Sequence, residues 1–207
     1  MAELLVVRAH PLDSTASRSM QLADAFVAAY RDAHPDDRVE QLYLYNVAVP
    51  EIDLDLLNGW NKLGQGEPFV HLHPSEQAKL TIFDKLGEQF MHADKFVVVN
   101  PLWNLSIPTR LKAWIDTVCV AGKTFRYTAD GSAVGLVTGK KGLHLQTNGG
   151  HFHGQDPASD YMRKVFGFIG VSDYHEIFAE GMDHAPDSAQ QIMDEAIARL
   201  TEFARTF

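Results

Sequence analysis

Hydrophobic positions along the chain follow two alternating patterns, short unbroken runs and longer stretches at helical spacing. Leu4-Leu5-Val6-Val7 is an unbroken run closed by His10-Pro11, as a strand buried on both faces requires. Ser17 is placed to cap a helix opening at Arg18, where Leu22, Ala25, Phe26, Ala29 and Tyr30 share a stripe up to the acidic cluster that begins at Asp32. Val39 to Tyr45 predicts a second strand. Residues 46–74, with scattered Pro50, Gly64, Gly66 and Pro68, predict a loop with short helical pieces. Ser75 is placed to cap the next helix, striped by Leu80, Phe83, Leu86, Phe90 and Met91. Lys95 to Asn100 is the clearest strand and ends at Pro101; a helix opening at Pro108 then carries Leu111, Trp114, Ile115 and Val118 on one face. Gly142 to Gln146 predicts a strand, Asp160 to Phe168 a helix, Tyr174 to Ala179 a strand and Ala189 to Phe203 a final helix.

Strands alternating with helices imply right-handed crossovers, and so a doubly wound α/β fold with a parallel sheet covered on both faces. No Pro/Gly/Ser-rich linker or repeat divides the chain, so residues 1–207 are expected to form one domain. Ligands of such sheets bind beyond the carboxyl ends of the strands, which directs attention to residues 10–18, 101–108 and 147–154.

Composition narrows the classes. Hydrophobic residues at 45% and charged residues at 22% exclude a disordered or fibrous chain. A net charge of −9 argues against a nucleic-acid partner, which needs a basic footprint. Between positions 108 and 141, however, Arg110, Lys112, Lys123, Arg126, Lys140 and Lys141 face only Asp116 and Asp130, either as a positive face for an anionic ligand or as separate solvated cations. Cys119 is the only cysteine, which excludes an intrachain disulfide, fits a reducing cytoplasm and reads as a packed core thiol. No apolar stretch reaches the roughly 18 residues of a membrane span, and Met1-Ala2-Glu3 opens no export signal, so neither a membrane nor export is expected.

Chemistry concentrates at the three strand ends. His10 to Ser19 is a hydroxyl-rich loop running into a helix N-terminus, where free amides and the helix dipole favour an anion; plain capping is the alternative. No glycine-rich dinucleotide fingerprint or P-loop occurs, which favours a mononucleotide phosphate. Pro101-Leu102-Trp103-Asn104-Leu105-Ser106-Ile107-Pro108 offers apolar groups and a carboxamide to a flat aromatic ring such as a flavin, or closes the core through Trp103. Thr147-Asn148-Gly149-Gly150 allows backbone to approach a ligand closely, or is simply a turn.

Together with Ala121-Gly122-Lys123-Thr124-Phe125-Arg126-Tyr127-Thr128 and Gly135-Leu136-Val137-Thr138-Gly139-Lys140-Lys141, the 100–108 and 147–150 segments resemble the FMN-dependent NADH-azoreductases, a family of flavodoxin-like quinone reductases. The resemblance runs from about Leu4 to the final helix. It implies a flavodoxin-like fold, FMN as cofactor and NADH, or NADPH, as donor. It also implies quinones and aromatic azo compounds as acceptors, reduced by ping-pong two-electron transfer in a homodimer with interfacial active sites. By the same likeness Ser17, Arg18 and Ser19 hold the phosphate, and Leu102, Trp103, Asn104, Leu105, Thr147, Asn148, Gly149 and Gly150 hold the ring. Tyr127, Phe168 and Phe178 match aromatic residues near the substrate, some reaching across the dimer. His10 stands where the family leads one to expect a small hydroxyl residue; a charged imidazole there could still serve the phosphate. Residues 55–74 match poorly.

His151 and His153 follow the glycine pair and read as pocket residues, His151 as a substrate contact. The His71/His73 and His151/His153 pairs have chelating spacing, yet no Cys or carboxylate cluster completes a metal site. No G-x-S-x-G elbow supports a serine hydrolase. The rival from another class is a flavodoxin-type FMN electron carrier without NADH-dependent catalysis; the missing Thr-Gly-x-Thr run stands against it.

Overall fold

The computed structural model describes all residues, 1–207. Five strands, β1 (Glu3–Arg8), β2 (Arg38–Tyr43), β3 (Lys95–Pro101), β6 (Lys141–Asn148) and β7 (Asp173–Glu180), form one sheet in the order β2-β1-β3-β6-β7, parallel throughout. The chain winds outward from β1 to β2, then back across to β3, so the order reverses between β1 and β3. That reversal leaves a crevice beyond their carboxyl ends.

Alternation along each strand splits the core into two layers. Leu4, Val6, Val97, Val99, Leu143 and Leu145 pack toward α1 (Arg18–Ala33) and α6 (Ala189–Ala204). Leu5, Val7, Phe96 and Val98 pack on the opposite face, with Trp114 of α4 (Thr109–Val118) and Phe166 of α5 (Pro157–Ile169). Gly142 on β6 is required there because a Cβ would come within 2.5 Å of the Phe96 ring.

Several expectations change at their edges. The helix expected to be capped by Ser75 is α3 (Pro74–His92), with Pro74 in its first turn and His73 as the cap: the His73 imidazole accepts from Ser75 N–H, while Glu76 accepts from His73 N–H at 2.9 Å. The 46–74 segment contains a full helix, α2 (Leu54–Gly64), capped by Asp53. It packs on α3 through Leu56, Leu72, Leu80 and Phe83. After α4 comes an unforeseen antiparallel hairpin, β4 (Phe125–Tyr127) with β5 (Ala133–Gly135). The cations of residues 108–141 do not gather into a face. Lys112 pairs with Asp116, Lys123 with Asp84 and Lys141 with Asp173, Lys140 is bonded to Ala93 O, and Arg110 donates to Leu44 O and Val47 O. No helix is long and apolar enough to cross a membrane.

Candidate functional site

A cleft of about 420 Å³ opens at the crevice, walled by His10, the Ala16–Ser19 segment, Pro101 to Trp103, Thr147 to Gly149, Met182 and Asp183. The ends of β1, β3 and β6 supply three walls, as the strand-end rule requires. The fourth comes from the segment after β7.

At one end Ser17 caps α1, accepting from Met20 N–H at 3.4 Å, and its Oγ lies 3.1 Å from Ser19 Oγ. Both hydroxyls are buried at the cleft. The Arg18 and Ser19 amides have no acceptor within the chain, as expected for the first turn of a helix. Arg18 Nη1 sits 3.2 Å from Asp183 Oδ1. Donors on a helix dipole and a guanidinium make an anion site.

His10 occupies this end differently from the charged imidazole considered above. Burial lowers its pKa, and Leu12 N–H donates to Nδ1 at 3.0 Å. The neutral ring therefore carries its proton on Nε2 and serves as a neutral donor, with its centroid 5.3 Å from that of Trp103.

The opposite end is built by two loops. Trp103 and Ser106 exchange backbone hydrogen bonds at 3.0 and 2.9 Å across Asn104 (φ 51) and Leu105 (φ 61). Two successive left-handed residues between paired neighbours form a type I′ turn, and Leu105 is strained there. Asn104 and Leu105 stand exposed at the tip, beyond the walls proper. Leu102 N–H donates to Thr147 O at 3.0 Å and ties this loop to the next. In that next loop Gly149 lies against the Asp183 carboxylate, where a Cβ would collide. The Gly149 and Gly150 amides have no acceptor within the chain. Gly150 itself is beside Phe152 and His184, just outside the wall.

Beneath the cleft runs a buried polar line. His144 Nε2 lies 2.7 Å from Asn100 Oδ1, Asn100 Nδ2 donates to Gln146 Oε1 at 3.1 Å, and Gln146 Nε2 donates to Asp156 Oδ2 at 2.9 Å. Asp156 caps α5 through Ala158 N–H and Ser159 N–H. Because Asn100 presents its oxygen, His144 donates from Nε2, and its Nδ1 is left buried without a partner. Burial drives the His144 pKa down to about 3.

The remaining residues singled out from sequence lie elsewhere. Tyr127 and Phe168 are exposed and meet through Phe125, whose centroid is 5.6 Å from that of Tyr127 and 4.6 Å from that of Phe168. This patch is outside the cleft walls. Phe178 faces away, packed edge-on to His144 at 5.2 Å and lining a separate groove along β7 with Arg163 and Arg199. His151 lies on the far side of the glycine pair, 6.3 Å from His153 and 6.2 Å from His184 between centroids. No group of three or more metal-ligating side chains forms. Sequence reasoning missed Met182 and Asp183, although their place directly after a strand was a signal of the same kind.

Comparison with known proteins agrees with this architecture. A family described as a flavodoxin-like fold matches residues 2–204. The chain is 45% identical to an FMN-dependent NADH:quinone oxidoreductase of Geobacillus kaustophilus and 44% identical to one of Bacillus subtilis, each alignment covering both chains in full. Among solved structures, an azoreductase from Bacillus anthracis superposes with a TM-score of 0.92 at 35% identity over both whole chains. An FMN-dependent NADH-azoreductase from the same species, solved in complex with FMN, gives 0.88 at 31% identity over 99% of this chain and all of that one. With the switch-point cleft, these likenesses place the chain in the FMN-dependent NADH-azoreductase family of flavodoxin-like quinone reductases.

Proposed function

We propose that the protein is an FMN-dependent NADH:quinone oxidoreductase that also cleaves aromatic azo compounds reductively to amines. The observation that carries this reading is a switch-point cleft with unspent donors at both ends, an anion site on α1 and free glycine amides on the far loop. Those groups fit FMN. The Arg18 and Ser19 amides, the Ser17 and Ser19 hydroxyls and the Arg18 guanidinium would hold the phosphate. Leu102, Trp103 and Leu105 would bound the ring, and the Asn104 carboxamide, Thr147, Asn148 and the Gly149 and Gly150 amides would meet its polar edge. When bound, FMN supplies the two-electron relay between NADH, or NADPH, and the acceptor.

The chain's own part is binding and orientation. Neutral His10 offers a hydrogen bond without adding charge, and no side chain at the cleft is asked to act as an obligatory acid or base. Tyr127, Phe168, Phe178 and His151 are assigned to the aromatic acceptor, Phe178 from the β7 groove that its ring lines. Tyr127 and Phe168 lie off this chain's own cleft walls, so they are assigned to an active site shared between two copies in a homodimer. Half-buried Cys119, with no other cysteine in the chain, suits a reducing cytoplasm.

Steady-state oxidation of NADH by FMN-loaded protein, with benzoquinone or a carboxylated azo dye as acceptor, tests the proposal. Parallel double-reciprocal lines are expected, since donor and acceptor would use one site in turn. Absence of turnover with both NADH and NADPH would overturn it.

A further inference from the structure

We infer that Glu180 is the positioning residue that sets the glycine wall of the cleft. This rests on reading that cleft as the FMN site. Glu180 ends β7, and its carboxylate collects four N–H donors. Oε1 accepts from Asn148 Nδ2 at 3.0 Å and Gly154 N–H at 3.1 Å, and Oε2 accepts from Phe152 N–H at 3.2 Å and His153 N–H at 2.7 Å. Asn148 precedes the glycine pair and residues 152–154 follow it, so one carboxylate anchors the loop on both sides.

The backbone pays conformational strain for this arrangement. His153 and Gly154 are both left-handed, at φ 54 and 68, which turns consecutive amides toward one anion. A non-glycine residue holds that conformation only when its surroundings enforce it. Hydrogen bonds to a carboxylate are roughly twice as strong as neutral ones, and four of them supply that enforcement.

The following residues complete the device. Gly181 N–H donates to Asn148 O at 3.1 Å and to Gly150 O at 3.0 Å, and Asp183 N–H donates to Gly149 O at 3.0 Å. In a trans peptide the carbonyl and the next amide point in opposite directions. Fixing the oxygens of Asn148 and Gly149 on the 181–183 segment therefore turns the Gly149 and Gly150 amides away from it, unspent. Glu180 holds this loop in register with the 181–183 segment that begins at the next residue. No side chain of its own is placed among the cleft walls, so it acts through the loop.

The test compares apoprotein of the parent, Glu180→Gln and Asn104→Gly by quenching of flavin fluorescence on FMN titration, with amide hydrogen exchange in parallel. Gln turns one accepting oxygen into a donor without emptying space. Glu180→Gln should raise the FMN Kd about tenfold, the equivalent of one lost charge-assisted hydrogen bond. Exchange should quicken at residues 149–154 while the rest of the chain keeps its protection. An FMN Kd within twofold of the parent, while Asn104→Gly binds more weakly, would overturn the role of Glu180 and leave the site intact. Unchanged binding in both variants would overturn the reading of the cleft itself. Exchange quickened evenly across the chain would show a general structural role and contradict positioning. If Glu180→Gln does not fold, the same two readouts on Glu180→Asp, which keeps the charge but shortens the reach, decide it: local quickening with weaker FMN binding supports the inference, and parent-like values contradict it.

Discussion

Leu105 sits in the left-handed region at the tip of an exposed turn, where a branched residue costs roughly 1–2 kcal/mol. Strain of this kind is retained where a loop must present a particular face. Leu105→Gly should therefore stabilise the apoprotein, by about 0.5–1 kcal/mol in denaturant unfolding, and weaken FMN retention by removing an apolar contact. Asn104→Gly keeps the same backbone and deletes only the carboxamide. Its FMN Kd should rise about two- to tenfold, the range for one hydrogen bond, with an unchanged melting temperature. Cys119 makes the opposite point about single residues. Burial, aided by Asp116, pushes its thiol up to about 11. At pH 8 it should resist iodoacetamide in the folded protein and react only on unfolding, as intact mass would report.

At the scale of elements, three helices begin at different kinds of cap, and the sequence showed them unequally. Ser17 before α1 followed the usual hydroxyl preference and was legible. His73 before α3 was not, because an imidazole cap has no strong sequence signature and Ser75, two residues on, imitates the expected one. Asp156 before α5 serves the polar line as well as the helix, and the stripe-based start at Asp160 missed it by ignoring Pro157 in the first turn. That line carries a pH dependence. The pKa of His144 is depressed by burial to about 3, against an ordinary value of 6.5. The unfolded chain thus binds a proton that the folded one refuses, so this contribution to stability is full above pH 6.5 and declines as pH falls toward 3. His144→Gln, which can still donate to Asn100, should flatten that acid limb in urea unfolding measured between pH 7 and pH 4. An acid limb identical to the parent's would contradict the assignment.

Across the whole molecule, unbroken apolar runs made the sheet readable, because a parallel sheet buries both faces of Leu4 to Val7 and Phe96 to Val99. The crevice followed from strand order, and His10, Ser17 to Ser19, Leu102, Trp103 and Thr147 to Gly149 do converge on it. What lay beyond reach depended on tertiary packing. Trp60 and Leu56 of α2 bury themselves on α3, not in the main core, so their pattern read as loop. The β4–β5 hairpin has only three residues per strand, too few for an alternation to register. Asp183 needed its partner Arg18, distant in sequence, before its place in the cleft had meaning. The exposed Tyr127 and Phe168, which meet through Phe125, mark the surface expected to meet a second copy. Light scattering on the eluted protein should accordingly give twice the 23.1 kDa chain mass, and a monomer at micromolar concentration would contradict an active site shared between two copies.

In the proposed function the chain passes electrons from NADH to an acceptor through bound FMN. An anaerobic stopped-flow experiment reads it directly, mixing the FMN-loaded protein with NADH and then with benzoquinone. Rapid loss of the flavin absorbance is expected on the first mix, and its full return on the second. Flavin that stays oxidised with NADH and with NADPH, yet bleaches with dithionite, would contradict it and identify an electron carrier instead.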